Sequence, residues 1–324
     1  MTILLTGGAG FIGSFVGEGL LARGHRVVAV DDFNDFYDPA IKRANVATCL
    51  ASDRFELREG DIRDGRFLDE VFASHRFDAV VHLAAWAGVR PSIERPELYV
   101  EVNVGGTTSL LERARAARVQ RFVFASSSSV YGGRDDPPFR ETDPVDRPVS
   151  PYAATKRAGE LLCATYHKLY GMSATCLRYF TVYGPRQRPE MAIHKFARLL
   201  AAGQPVPVHG DGSSSRDYTY IDDIVDGTLR ALERCEGFEI YNLGESETTT
   251  LEDLVSMLGE AMGVEPRILR LPDQAGDVPM TWAEITKAQE RIGYAPSVPV
   301  REGVRRFAEW FRSRPGAGLP GDGE

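Results

Sequence analysis

The sequence predicts an α/β protein built on a doubly wound parallel sheet, with a smaller second region interleaved toward the C-terminus. Short apolar runs of strand length alternate with segments of helical periodicity, which is the pattern of parallel strands joined by crossover helices. The first run, Thr2–Thr6, leads into a glycine turn and then into apolar residues at helical spacing over 15–21. Strand, glycine turn and helix in this order predict the start of a Rossmann-type sheet.

The other elements of this sheet follow one another along the chain. The predicted strands after the first are residues 27–30, 55–57, 79–83, 122–125 and 174–179. Long helices are predicted for residues 101–117 and for Pro151–Tyr170, where apolar residues recur at helical spacing. Residues 137–148 are predicted to form a loop, because their prolines and acidic side chains fit neither period.

The second region is more irregular. Residues 181–188 are predicted to be a loop and residues 193–202 a helix, followed by glycine, proline and serine turns over 203–216. A turn and helix over 218–233 and a buried strand over 240–243 then predict a return to the main sheet. We therefore expect one domain over residues 1–178 and 217–245, a second over 179–216 and 246–313, and a disordered tail over 314–324.

Composition and charge exclude several classes of protein. The chain has 324 residues, with 38 Lys and Arg against 46 Asp and Glu, and a formal net charge of -8. Such a chain lacks the basic surface that a nucleic-acid backbone requires, so we expect no nucleic-acid partner. Its apolar runs are shorter than the roughly 20 residues that span a bilayer, and the first strand begins at once. We therefore expect neither a membrane segment nor a signal peptide.

The spacing of cysteines and histidines argues against metal and disulfide sites. The four cysteines are far apart and form no C-x-x-C pair, and the six histidines form no metal-ligand motif. We therefore expect no bound metal, reduced thiols and a cytoplasmic location.

The glycine turn after the first strand has the spacing of a dinucleotide site. In TGGAGFIG, Gly7 permits the tight turn, Gly10 permits close approach of the backbone to a pyrophosphate, and Gly13 permits close packing of the helix. Asp31 follows at the end of the second strand, where a carboxylate accepts hydrogen bonds from the adenosine ribose. Because a carboxylate repels a ribose 2'-phosphate and no arginine immediately follows it, the sequence predicts NAD rather than NADP.

The start of the second long helix carries a candidate catalytic pair. Ser150 is a good N-cap and Pro151 suits the first turn. Tyr152 and Lys156 then lie four residues apart on one helix face. A nearby ammonium, the helix N-terminus and a nicotinamide positive charge would favour the phenolate and so make Tyr152 a base at about pH 7. The polar run 126–129 follows a strand and can bring a hydroxyl to the same substrate atom.

Five motifs carry a resemblance to a known family. They are TGGAGFIG, HLAA at residues 82–85, SSSVYG at 127–132, SPYAATK at 150–156 and RDYTYIDD at 216–223. On these motifs the chain, from residue 2 to about residue 293, resembles the extended short-chain dehydrogenase/reductases, specifically the NAD-dependent nucleotide-sugar epimerases and dehydratases. The resemblance implies that Tyr152 is base and acid, that Lys156 holds the nicotinamide ribose, and that Ser127 offers its hydroxyl to the substrate.

The resemblance also implies a larger set of cofactor contacts. Besides the three glycines and Asp31, they are Phe11, Ile12, Asp32, Asn34, Leu83, Ala84, Ala85, Tyr152, Lys156 and Tyr179. Asp61 and Ile62, after the third strand, are placed to meet the adenine ring, and an acidic turn accounts for them equally well.

The residues beside the catalytic serine bear on the reaction. In this family the tyrosine takes the proton of the sugar 4-hydroxyl while NAD takes the C4 hydride, which gives a 4-keto sugar. Related dehydratases and decarboxylases carry a carboxylate here, in Thr-Asp-Glu and Thr-Ser-Glu, whereas this chain has Ser127, Ser128 and Ser129. With no carboxylate to assist elimination, we expect the hydride to return to the other face of the ketone, which is 4-epimerisation.

Three segments indicate the sugar. Residues 33–45, 86–96 and 178–192 are similar to those of UDP-glucuronate 4-epimerases, whereas UDP-glucose 4-epimerases usually carry asparagine in place of Thr181 and arginine in place of Gln274. The resemblance implies a C6 carboxylate bound by hydroxyls and a diphosphate bound by arginines. The implied substrate contacts are Arg90, Ser127, Ser128, Ser129, Tyr152, Thr181, Arg188, Arg216, Gln274 and Asp277.

Other interpretations stay open at this point. The alternative enzymes are a UDP-glucuronate decarboxylase and a UDP-glucose 4-epimerase, which differ in product. A regulator that senses NAD without chemistry would use the same fold, since fold alone does not give function. Relatives pair the helices that correspond to residues 101–117 and 150–170, so a homodimer is expected.

Overall fold

The computed structural model describes residues 1–134, 136–272 and 278–314. The strands are β1 Thr2–Thr6, β2 Arg26–Asp31, β3 Phe55–Glu59, β4 Ala79–His82, β5 Arg121–Ser127, β6 Ser173–Tyr179, β7 Thr181–Tyr183, β8 Val206–His209, β9 Ser215–Arg216, β10 Tyr218–Tyr220, β11 Phe238–Leu243, β12 Thr249–Thr250 and β13 Ile268–Leu271.

The α-helices are α1 Phe11–Ala22, α2 Pro39–Asn45, α3 Ala47–Leu50, α4 Gly65–Ser74, α5 Val89–Glu94, α6 Pro96–Tyr99, α7 Thr107–Ala116, α8 Pro151–Tyr170, α9 Ala192–Ala201, α10 Ile221–Glu233, α11 Leu251–Met262, α12 Thr286–Ile292 and α13 Val300–Arg312. A π-helix spans Val100–Gly106 and a 3₁₀-helix spans Ser128–Tyr131.

Seven parallel strands form the central sheet in the order β3-β2-β1-β4-β5-β6-β11. Thr6 at the end of β1 pairs with Val30 on one side and His82 on the other. The direction of winding reverses between β1 and β4, and in open parallel sheets ligands bind beyond the carboxyl ends of the strands at such a point. The predicted doubly wound sheet is confirmed.

Two hydrophobic cores cover the faces of this sheet. Alternation along β1 sends Ile3 and Leu5 into one core and Leu4 into the other, as period-two strands require. The core around Ile3 continues into the second region, where it includes Leu258 of α11 and Phe307 of α13. The second region therefore packs on the sheet through a continuous apolar core.

Several elements agree with expectation. Helix α8 has the predicted bounds, begins at a Ser150 cap whose side chain accepts a hydrogen bond from Ala153 N, and ends at the left-handed Gly171. After leaving the sheet at β6, the chain returns to it at β11, as expected, and β11 pairs with β6.

Other elements differ from expectation. Residues 181–188 are not all loop, because Thr181–Tyr183 forms β7 and pairs with β10. The turns expected over 203–216 contain the strands β8 and β9, which pair with β13 and β12. All of these partners are distant in sequence, so local periodicity cannot show them. The helix expected over 101–117 begins as the π-helix, and the expected tail lies, apart from Arg314, outside the described residues.

Candidate active site

A cavity opens at the carboxyl ends of β1, β4 and β5, at the reversal of the sheet. The predicted residues that line it are Gly7, Gly10, Phe11, Ile12, Gly13, Asp31, Asp32, Asn34, Asp61, Ile62, Leu83, Ala84, Ala85, Ser127, Ser128, Ser129, Tyr152, Lys156, Tyr179, Thr181 and Arg188. Most of the positions proposed for cofactor, catalysis and substrate therefore line one cavity.

The glycine turn packs closely against the neighbouring backbone. A Cβ on Gly13 would lie 2.0 Å from the carbonyl oxygen of Gly7, and one on Gly7 would lie 2.7 Å from the amide nitrogen of Ala84. Gly7 also has φ of 70°, which side chains other than glycine rarely adopt. Helix α1 starts at Phe11 without a side-chain cap, so its first amides can bind an anion. This turn fits the pyrophosphate of a dinucleotide.

Asp31 lies at the end of β2 in a network that the sequence did not reveal. One carboxylate oxygen accepts from the amide of Phe33 at 3.0 Å and from Lys42 Nζ at 3.1 Å, and the other accepts from the amide of Ala9 at 3.1 Å. Lys42 is 6% exposed and lies 3.7 Å from a carboxylate oxygen of Asp32. A buried lysine therefore compensates two carboxylates at the ribose end of the cavity.

The acidic turns next to Asp31 are built by their own side chains. Asp32 accepts hydrogen bonds from the amide and side chain of Asn34. Asp61 accepts from the amide and guanidinium of Arg63, and although burial raises the pKa of Asp61, these hydrogen bonds lower it overall. Asp61 thus forms an acidic turn that is also part of the cavity wall, and its contact with the adenine ring stays a prediction.

Tyr152, Lys156 and Ser127 meet where α8 crosses the end of β5. Lys156 Nζ donates to the carbonyl of Ala125 at 2.7 Å and lies 5.9 Å from the centre of the Tyr152 ring. Ser127 donates to Ser129 Oγ at 3.2 Å and accepts from the Ser129 amide. The hydroxyls of this segment and the phenol of Tyr152 thus line one cavity, and Ser127 is within hydrogen-bonding distance of the phenol.

The charge states of Tyr152 and Lys156 depend mainly on burial. Burial raises the pKa of the Tyr152 phenol, while a hydrogen bond with Ser127 and the charge of Arg188 act to lower it. Burial also lowers the pKa of Lys156 to about 7. Within the protein alone, burial therefore outweighs the groups that favour the phenolate, and the pKa of the phenol is raised.

The wall opposite the glycine turn is lined by hydroxyls and one arginine. Thr181 stands at the start of β7, and among the described residues its hydroxyl has no hydrogen-bond partner. Arg188 lies with its guanidinium carbon 5.4 Å from the centre of the Phe36 ring and pairs with Glu190 at 2.9 Å. This wall offers donors for an anionic group.

Comparison with known proteins places the chain in a family. The family model described as "NAD dependent epimerase/dehydratase family" matches residues 3–244. The chain belongs to the NAD dependent epimerase/dehydratase family. A curated member of similar length, UDP-glucuronate 4-epimerase of Thermodesulfobacterium geofontis, is 42% identical over 310 residues, covering 95% of each chain.

Solved structures of related epimerases have the same fold. UDP-glucuronic acid 4-epimerase from Bacillus cereus, in complex with UDP-glucuronic acid and NAD, superposes with a TM-score of 0.89 at 36% identity, over 96% of this chain and 99% of that one. UDP-glucose 4-epimerase from Thermotoga maritima, with UDP-glucose, gives a TM-score of 0.89 at 34% identity, over 96% and 99%.

Not every residue predicted from the family resemblance reaches the cavity. Arg90 lies exposed on α5 and is not among the residues that line it. Arg216 on β9 is also outside the lining, because its guanidinium donates to the carbonyls of Ser215 and Pro279. Gln274 and Asp277 lie outside the described residues.

Sequence reasoning missed part of the aromatic wall of this epimerase-family cavity. Phe36 and Trp86 line it with ring centres 5.3 Å apart, and Tyr37 lines it beside Lys42. These residues stand in the segments 33–45 and 86–96, which served only to indicate the sugar. Tyr179 lines the cavity, but its hydroxyl is within 2.9 Å of Thr228 Oγ1 on α10.

Two further findings concern other kinds of site. Within residues 1–134, 136–272 and 278–314, no group of three or more His, Cys, Asp or Glu side chains is arranged to hold a metal ion. In the same described ranges, no helix has the length and apolarity that crossing a bilayer demands.

Proposed function

We propose that this protein is a UDP-glucuronate 4-epimerase, which interconverts UDP-glucuronate and UDP-galacturonate with tightly bound NAD. One observation carries the proposal: a glycine-rich dinucleotide turn, the group of Tyr152, Lys156 and Ser127, and a hydroxyl-lined wall share one cavity. The relatives at 36% and 42% identity named for this activity support it.

The residues that would hold NAD follow the cavity from one end to the other. Asp31 would accept the adenosine ribose hydroxyls, the turn at Gly10 would hold the pyrophosphate, and Lys156 would donate to the nicotinamide ribose. Bound NAD supplies a reversible hydride acceptor at the sugar C4. Because Lys156 has a pKa of about 7 when only protein surrounds it, a ribose oxygen in place of open space would favour its charged form.

Tyr152 would take and return the proton of the sugar 4-hydroxyl. Its phenol shares the cavity with Ser127, whose hydrogen bond favours the phenolate, and with Lys156 one helical turn away. A buried phenol with a raised pKa holds its proton firmly, so these two neighbours would supply the stabilisation that lets it act as a base.

The hydroxyl-lined wall would determine what the keto sugar does next. The 4-keto form of a glucuronate is a β-keto acid, which loses carbon dioxide when its carboxylate stands perpendicular to the carbonyl plane. Ser128, Ser129 and Thr181 line the cavity with donors and without a carboxylate at the serine segment. We infer that they hold the C6 carboxylate away from that orientation. Arg188, whose charge acts on Tyr152, would add a cation for the carboxylate or the diphosphate.

We also propose an assembly, a domain organisation and a location for the chain. Leu161, Leu169 and Tyr170 on α8 and Val100 on the π-helix are 51–63% exposed, which leaves an apolar surface for a second copy in a homodimer. Sedimentation of the purified protein tests this. We propose the domain bounds expected from the sequence, and a cytoplasmic location because all four cysteines are unpaired and buried.

Product analysis tests the proposed activity. Purified protein is incubated with UDP-glucuronate, and in parallel with UDP-glucose, without added NAD, and the anomeric protons are followed by NMR. Formation of UDP-galacturonate is the expected result. A UDP-pentose would identify a decarboxylase, conversion of UDP-glucose alone would identify a neutral-sugar epimerase, and no conversion of either would favour the regulator.

A further inference from the structure

A buried ion cluster lies directly behind the catalytic cavity. The Glu160 carboxylate, with no exposed surface, accepts two parallel hydrogen bonds from Arg178, at 2.8 and 2.9 Å, and one from Arg157 at 2.9 Å. It also accepts the hydroxyl of Ser126 at 2.7 Å. Although burial raises the pKa of Glu160, the hydrogen bonds from Arg178 lower it overall, so the carboxylate is charged.

The cluster is in register with the catalytic residues. Tyr152, Lys156 and Glu160 occupy successive turns of one face of α8. Lys156 binds the carbonyl of Ala125, and Glu160 binds the side chain of Ser126, the residue before Ser127. Two polar contacts on consecutive β5 residues thus tie the helix to the strand, and Ser127, the next β5 residue, forms a hydrogen bond with Tyr152.

Helix α8 packs closely on β5 near the cluster. A Cβ on Gly159 would lie 2.2 Å from the ring of Phe124, so α8 packs directly on β5 at this point. Apolar packing of this kind sets the distance between helix and strand but allows sliding along the strand. Directional hydrogen bonds at Ala125 and Ser126 fix the position along it.

Arg178 extends the cluster to the other end of the serine segment. It stands on β6 opposite Ser126 in register, and its guanidinium carbon lies 4.8 Å from the centre of the Tyr131 ring. Tyr131 ends the 3₁₀-helix that carries Ser128 and Ser129, and its hydroxyl donates to Asn242 at 2.7 Å. The pair of Glu160 and Arg178 therefore contacts residues on both sides of the serines that line the cavity.

We propose that Glu160, paired with Arg178, is a positioning residue for the reaction: through Ser126 it holds the Ser127 hydroxyl at its working distance from Tyr152. Replacing a buried ion pair by apolar residues often leaves a fold as stable or more so, so stability alone does not account for such a cluster. The cluster is accounted for if the reaction requires Tyr152 and Ser127 to be held in a fixed geometry. This inference rests on the proposed epimerase activity.

The test removes the hydroxyl and the carboxylate separately and together. Ser126→Ala, Glu160→Gln and the double variant are compared with the wild type for kcat, KM, bound NAD and melting temperature. Ser126→Thr keeps the hydroxyl and serves as the rescue variant. Thr165→Ala is the matched control, because it removes a hydroxyl on α8 that donates to the Leu161 carbonyl at an exposed position.

If Glu160 and Ser126 position the catalytic pair, their variants should lose kcat without a change in KM or in bound NAD. Small misplacement of reacting groups costs up to about 100-fold in rate, so we expect kcat to fall by about 10- to 100-fold in each single variant. KM and NAD content should stay close to wild type, the double variant should be no slower than the slower single variant, and Ser126→Thr should recover most of kcat.

Other outcomes would overturn the proposal. They are wild-type kcat in Ser126→Ala, losses that multiply in the double variant, or a loss that appears in KM or NAD content. If Glu160→Gln does not fold, the comparison of kcat between Ser126→Ala and Ser126→Thr tests the proposal by itself. Activity is measured with whichever UDP-sugar the wild type converts, so a wrong substrate assignment shows in the wild type and a wrong positioning role only in the variants.

Discussion

Replacing Thr181 by valine tests how the cavity controls the fate of the keto sugar. The backbone of Thr181 donates to the carbonyl of Asp217 at 3.0 Å and pairs with Tyr218 in the β7–β10 ladder, and its hydroxyl has no partner within the described residues. Valine has the same shape and also favours strands, so the substitution removes only a donor to the ligand.

The magnitude follows from the loss of one charge-assisted hydrogen bond. Such a bond contributes about 1.5 to 3 kcal/mol, which corresponds to a rise of about 10- to 100-fold in KM for UDP-glucuronate. The less restrained carboxylate of the keto sugar should then reach the orientation that releases carbon dioxide, and a UDP-pentose should appear beside UDP-galacturonate.

Proton NMR of the reaction mixture measures both effects at once. Thr181→Ser, which keeps a hydroxyl, is the matched control and should form no pentose. If Thr181→Val forms no pentose and epimerises at the wild-type rate, the reasoning about the carboxylate is wrong.

Three further predictions concern the cofactor and the catalytic group. Tyr152→Phe should lower kcat by about 100- to 10,000-fold, the usual contribution of a positioned proton-transfer group, while retaining bound NAD in the absorption spectrum of the denatured protein; normal turnover would contradict the assigned role. Gly13→Ala, whose Cβ would lie 2.0 Å from the Gly7 carbonyl oxygen, should lose bound NAD and about 1 to 3 kcal/mol of stability in urea, unlike the control Gly133→Ala, whose nearest contact is 3.6 Å. In NAD-free protein, the free energy of unfolding should rise between about pH 7 and 9 relative to Lys156→Met, because the folded lysine, with a pKa of about 7 against the usual 10.5, loses its proton while the unfolded chain keeps it. Below about pH 7 the free energies of unfolding of the two proteins should change in parallel. A constant difference between these free energies over the whole pH range would refute the pKa shift.

Local sequence patterns predicted the parts of the fold that local interactions build. The cap at Ser150, the proline after it and the left-handed Gly171 define α8, and all three are visible in the sequence. The glycine turn is equally local, since its requirement for glycine comes from φ at Gly7 and from the contact between Gly7 and Gly13.

Local sequence patterns could not predict contacts that depend on how the elements pack. Lys42 compensates Asp31 only because α2 packs beside the end of β2, and the sequence shows no period that links them. Arg216 stands in a family motif, yet its guanidinium turns to backbone carbonyls near β9 instead of the cavity. Glu160 is different, because it lies four residues after Lys156 and eight after Tyr152. This spacing places all three on one helix face and could have indicated a residue near the catalytic pair.

The measurement that tests the account most directly is a labelled turnover. Wild-type protein, without added NAD, is incubated in ordinary water with UDP-glucuronate that carries deuterium at C4, and the product is examined by proton NMR. We predict UDP-galacturonate that still carries deuterium at C4, because Tyr152 would move only the hydroxyl proton and the hydrogen on C4 would not exchange with water. A product with hydrogen from water at C4, a UDP-pentose, or no product at all would contradict it.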